Sequence, residues 1–202
     1  MKPRILAVAL PNESRLPGTA KEVESVANRA GDIGVTQLFE SAATQEQVSY
    51  AMKSFNWVHF ACHGEQNTAS PTDSCLLLAR KSKLTLSEII SFRLEQAELA
   101  FLSACETATG EETLEEEAVH LAAGMLLAGY KAVIATMWTI NDHIAVEIAD
   151  ETYRLLFDEY KADYTRAAEA LHFAVKNVCE ERKEKANPVP LSYWVPFIHM
   201  GK

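Results

Sequence analysis

Short apolar runs alternate along the chain with stretches whose apolar residues recur at helical spacing. Residues 5–10 (ILAVAL) are continuously apolar and closed by Pro11, which reads as a first strand. Thr19 with Glu22 has capping-box spacing and opens a helix whose Val23, Val26, Ala27 and Ala30 share a face until Gly31 stops it. A second strand follows at 35–39 (VTQLF), then a helix capped by Thr44 with Gln47 that turns Val48, Met52 and Phe55 inward. The third strand is 57–62. After a polar loop, CLLLARKSKLTL reads as a small hairpin, and Ser87 begins a short helix through Phe92. The fourth strand is 99–104 (LAFLSA). A long helix runs from about Glu112 to Ala128, with Leu114, Ala118, Leu121, Ala122 and Met125 on one side and Gly129 as its stop. The fifth strand is 132–138 (AVIATMW). Helices from about Asp142 and Thr165 follow, the second presenting Ala167, Leu171, Ala174 and Val178. A polar loop then leads to YWVPFIHM, a last strand whose Pro196 suits a sheet edge.

This alternation predicts an α/β fold in one domain spanning 1–202, with a largely parallel six-stranded sheet flanked by helices on both faces. Active groups in such sheets gather just beyond the carboxyl ends of the strands. Two strands end there on reactive residues. VHFACHG (58–64) delivers His63 and Gly64, and LAFLSACETATG (99–110) delivers Cys105. If these strands are neighbours, one substrate is within reach of both. A cysteine attacks carbonyls as the thiolate, and a histidine can take its proton and return one to the leaving amine. The developing oxyanion needs fixed donors, for which the backbone N–H groups of Gly64 and Cys105 are the candidates. A cysteine at a strand end also suits a small buried hydrophobe, and spacing alone leaves both readings open.

Composition narrows the partners. Lysine and arginine number 19 against 28 aspartates and glutamates, and the formal charge of −9 argues against nucleic acid and anionic membrane surfaces. Basic protein substrates remain open. No apolar run approaches the ~18 residues of a membrane span, and MKPRILAVALPNE has too short an apolar core for a secretory signal. Cys62, Cys75, Cys105 and Cys179 lack CxxC spacing, so neither a zinc ribbon nor a disulfide framework is expected, and the setting is a reducing one, the cytoplasm. Neither GxGxxG nor a P-loop pattern occurs.

HFACHG, LAFLSACETATG, EAVHLAAGMLLAGYKAVIATMWTINDH and YWVPFIHMG closely resemble the CHAT family, most of all the CHAT domains of fungal multidomain proteins. The resemblance runs from LPGTAKEV (16–23) to Gly201, with Glu117 and Trp138 at the family's intervals. It implies a caspase-like three-layer sandwich related to separase and the gingipains. It further implies a cysteine endopeptidase acting on a protein substrate, with His63 and Cys105 as the catalytic dyad. That chemistry needs no metal or organic cofactor. TPR-repeat or other regulatory domains are the partners the family brings, and a chain starting at Met1 without a TPR pattern is either stand-alone or excised from a larger protein. The other reading is a catalytically silent caspase-like interaction or regulatory module.

The caspase-like arrangement also implies a specificity pocket lined by the residue two before the cysteine, here Ser103. WTIND (138–142) leaves the fifth strand at the same sheet edge, which adds Trp138, Asn141 and Asp142, although Asn141 or Asp142 equally suits a helix cap. Strict cleavage after aspartate would call for buried arginine. No Arg or Lys occurs in 99–110 or 132–143, so a basic or neutral residue before the scissile bond is expected. His59 and Cys62 read as core. Glu106 is expected to point away from the thiol, Thr107 to brace the turn, and Glu117 to tie down the loop after Cys105. Glu111, Glu112, Glu115 and Glu116 read with Glu117 as a solvated cluster at a helix start.

Overall fold

The computed structural model describes residues 2–10, 12, 17–65, 67, 69–103, 105–106, 118–138, 140–158 and 161–202. In chain order these form β1 (Ile5–Ala9), α1 (Gly18–Ala30), β2 (Val35–Phe39), α2 (Gln45–Met52), β3 (Trp57–Ala61) and β4 (His63–Glu65). Next come β5 (Cys75–Leu77), β6 (Lys83–Thr85), α3 (Leu86–Ser91), β7 (Leu99–Leu102), β8 (Cys105–Glu106) and α4 (Ala118–Ala128). The remainder is β9 (Ala132–Thr136), α5 (Asp142–Leu156), β10 (Phe157–Asp158), β11 (Lys161–Ala162), α6 (Ala167–Glu184), α7 (Leu191–Trp194) and β12 (Phe197–Gly201).

The main sheet has six strands in the order β12-β9-β7-β3-β1-β2. The five from β9 to β2 are parallel, and β12 adds antiparallel at the edge. Every residue of β1, β3, β7 and β9 is buried, as expected for strands covered on both faces. Alternate residues supply two cores. Leu6, Val8, Val58, Phe60, Ala100, Leu102 and Val133 pack with Val48 and Met52 of α2, Ile89 of α3 and Met125 of α4. Ile5, Trp57, Leu99, Phe101 and Ile134 pack on the other face with Val26 of α1, Ile148 and Tyr153 of α5 and Leu171 of α6. Each fully buried large side chain of this kind contributes about 1.5–3 kcal/mol. The result is the expected three-layer sandwich.

Several local expectations change. Thr19 and Glu22 make no capping box: α1 starts at Gly18 without a side-chain cap, and both residues are buried. The capping box found instead is Thr85 with Glu88 at the start of α3, one residue earlier than expected. The third strand ends at Ala61, bends at Cys62 and re-forms as β4. The run 191–196 holds the short helix α7, and the last strand begins only after Pro196, because an N–H-less residue suits the entry to a strand better than its ladder. β10 and β11 form a small antiparallel hairpin that periodicity did not reveal. The expected start of the long helix at Glu112, and with it Leu114, lies outside the described residues.

Candidate active site

β3 and β7 are neighbours in register, with His59 opposite Phe101 and Phe60 opposite Leu102. Both leave the main sheet at their carboxyl ends and contribute again to a second, four-stranded sheet of order β6-β5-β4-β8. There β4 and β8 pair in parallel, with His63 opposite Cys105 and Gly64 opposite Glu106. Backbones of neighbouring strands lie about 4.8 Å apart, and directly opposed residues share a face of the sheet. The register thus sets positions 63 and 105 side by side.

β4 is held from both flanks, since Gly64 also pairs with Leu76 of β5 and Glu65 with Cys75. His63 is half-buried and Gly64 buried, whereas Glu65 is exposed and meets Lys83 Nζ of β6 at 2.7 Å. Burial, and after it the Glu65 charge, pushes the Cys75 thiol up, so Cys75 stays protonated. Cys62 is fully buried on the α2/α3/α4 face, as expected of a core residue.

Beneath this edge lies a buried polar network. His59 is fully buried; its Nδ1 lies 3.2 Å from the Tyr153 hydroxyl, and its Nε2 lies 3.0 Å from Glu22 Oε1. The second contact is close but off the axis of a hydrogen bond. Burial, reinforced by the Glu22 charge, holds the Tyr153 hydroxyl well above its ordinary pKa, so it remains a donor. With the Tyr153 hydroxyl as donor to Nδ1, a neutral imidazole would carry its proton on Nε2, the nitrogen nearer Glu22. Glu22 Oε2 in turn accepts from Ser103 Oγ at 3.1 Å. Phe101 and Tyr153 enclose His59, with ring centroids 4.9 and 5.6 Å away.

Of the expected pocket residues, Ser103 joins this network and the other three have partners elsewhere. Ser103 is buried and turned toward Glu22. Trp138 is half-buried and donates its Nε1–H to the Ser192 carbonyl at 3.0 Å. Asn141 caps α5, accepting from the N–H groups of His143 and Ile144. Asp142 Oδ2 accepts from the Gly18 N–H at 2.7 Å, joining the start of α5 to the start of α1. Thr107, Glu111, Glu112, Glu115, Glu116 and Glu117 lie outside the described residues. Glu22 and Gly18 were not foreseen as site neighbours. Glu22 had a signal: it shares a helix face with Val26 and Ala30, so a carboxylate stood on the buried stripe.

The sequence profile of the CHAT domain matches residues 1–202. The chain belongs to the CHAT domain family. No curated protein matches it significantly. Among solved structures it is similar to the Arg-specific cysteine proteinase gingipain R (RGPB), at 13% identity and a TM-score of 0.60, covering 98% of this chain and 46% of that one. A complex of the Porphyromonas gingivalis RgpB pro- and mature domains gives the same TM-score and identity, with 98% and 47% covered. The CHAT chain therefore spans about half the length of these structures, and what it shares with them is the fold. Among the described residues of the CHAT domain, no three His, Cys, Asp or Glu side chains converge as a metal-binding set. No helix there is long and apolar enough to cross a membrane.

Proposed function

We propose that this CHAT domain is a cysteine endopeptidase that hydrolyses peptide bonds in a protein partner, with His63 and Cys105 as its dyad. The observation that carries the reading is the β4–β8 register, which sets His63 opposite Cys105 where two central strands end. His63 takes the Cys105 proton, and the thiolate attacks the substrate carbonyl carbon. The carbonyl electrons move onto oxygen, stabilised by the N–H groups of Gly64 and Cys105. Collapse breaks the C–N bond, and the imidazolium gives its proton to the departing amine. Water, deprotonated by His63, then attacks the thioester; the thiol regains a proton and the acid product leaves. A basic or neutral residue precedes the scissile bond, consistent with the acidic chain and the absence of Arg and Lys from 99–110 and 132–143.

The test pairs an electrophilic peptide probe with a protein-substrate screen. Cys105 is expected to be captured selectively, and cleavage is expected to vanish in Cys105→Ala. Full cleavage by Cys105→Ala removes the assignment. Slow, uniform labelling of all accessible thiols instead makes the domain a silent interaction module.

A further inference from the structure

A carboxyl group taken out of water needs partners for its oxygens. Glu22 carries such a group, 1% exposed on the inward face of α1. Its two oxygens reach two different strands: Oε1 lies against His59 of β3, and Oε2 accepts from Ser103 at the end of β7. Those strands lead to His63 and to Cys105. The Ser103 contact falls at a specific place. The β3–β7 ladder ends at the Phe60–Leu102 pair, and the β4–β8 ladder begins at Cys105. Between these two pairs stands Ser103, whose Oγ is bound to Glu22. His59 is fixed from the other side by the Tyr153 hydroxyl and the aromatic rings.

We propose that Glu22 is a positioning residue for the dyad, clamping Ser103 to His59 so that the segment entering Cys105 keeps its register with His63. The proposal rests on the endopeptidase reading. The described side-chain contacts of Glu22 are with His59 and Ser103. Glu22 acts by fixing how far the end of β7 stands from β3. A clamp of this kind predicts an effect on the Cys105 thiol out of proportion to the loss of stability, because reactivity depends on the His63–Cys105 geometry and stability on the whole core.

The test is the pH–rate profile of Cys105 alkylation by iodoacetamide, read by peptide mapping on the whole chain, alongside melting temperature. It compares wild type with His63→Ala, Ser103→Ala, Ser103→Thr and Tyr153→Phe. Ser103→Ala is expected to move the profile toward that of an ordinary thiol. The rate at neutral pH then falls about 10- to 30-fold, the span between an ionised thiol and one at its unperturbed pKa. Ser103→Thr keeps the hydroxyl and restores the profile. Tyr153→Phe removes a hydroxyl from the far side of the same network, lowers the melting temperature, and leaves the profile in place. If Ser103→Ala does not fold, Glu22→Met carries the test, since it keeps the length of the side chain and removes the acceptor for the Ser103 hydroxyl; a shifted profile supports the clamp and a wild-type profile overturns it. Two results separate the ideas. A wild-type profile in Ser103→Ala, or a shift no larger than in Tyr153→Phe, overturns the clamp while His63→Ala still shifts the thiol. An unshifted profile in His63→Ala overturns the dyad itself, and the positioning role with it.

Discussion

Replacing Gly18 by alanine sets two opposing effects against each other. Gly18 is the first residue of α1, and alanine is preferred over glycine in helices by up to ~1 kcal/mol, so propensity alone predicts stabilisation. A Cβ at this position, however, would stand 2.5 Å from the Asp142 carboxylate, inside any tolerable contact. The carboxylate would have to rotate away, giving up the 2.7 Å bond from the Gly18 N–H. A hydrogen bond to a charged group contributes about 1.5–3 kcal/mol. The losses outweigh the propensity gain, and Gly18→Ala is expected to destabilise by about 1–2 kcal/mol. For a chain of this size that lowers the melting temperature by roughly 2–8 °C. The assay is a double-mutant cycle by calorimetry. Asp142→Ala removes both the bond and the obstruction, so Gly18→Ala in that background becomes neutral or stabilising, and the two substitutions are non-additive. An alanine at 18 that raises the melting temperature equally in both backgrounds refutes the reasoning.

Gly129 ends α4 with φ +122°, and a Cβ there would meet the Leu94 carbonyl oxygen at 2.4 Å. Because that neighbour is backbone, Gly129→Ala should cost more than about 2 kcal/mol, seen as a lower urea midpoint. Asp150 accepts from Arg29 Nε at 2.9 Å and from the Ser25 hydroxyl, and these contacts hold its carboxyl below the usual range, Arg29 foremost. A depressed carboxyl pKa gives stability that is present above the unfolded value near ~3.9 and lost as pH falls through the folded one. Asp150→Asn should therefore lie below wild type by about 0.5–1 kcal/mol at neutral pH, the discount reflecting a half-exposed partner, and the gap should close under pH 4. Thermal melts across pH decide this, and a gap that persists in acid contradicts it.

Legibility in the sequence followed the number of faces each segment buries. β1, β3, β7 and β9 are covered on both sides, so their runs were apolar apart from His59 in β3 and Thr136 in β9, and the βα alternation led to a largely parallel six-stranded sheet. The β5–β6 hairpin of the second sheet was legible in CLLLARKSKLTL, but β4 and β8, three and two residues long, are too short to carry a period, although both candidate site residues lie in them. The Thr19/Glu22 spacing misled because a capping box and a buried carboxylate one turn into a helix look alike; only the apolar face shared with Val26 and Ala30 tells them apart. Thr85 and Glu88 carry the same spacing and do form the box, since Glu88 there lies at the rim and can turn back to the Thr85 N–H at 2.9 Å.

The two-sheet design bears on where a site can be altered. His63 takes its place from backbone pairing on both flanks of β4, where the exposed Glu65–Lys83 pair contributes little. Cys105 belongs to a two-residue strand at the edge of that sheet, paired on one side to β4. Two residues before it, Ser103 is bonded to Glu22. On the proposed dyad, a sheet ladder holds the histidine while Glu22 holds Ser103 two residues before the cysteine, so the segment from 99 to 105 is where small changes in the core are expected to be felt in Cys105 reactivity.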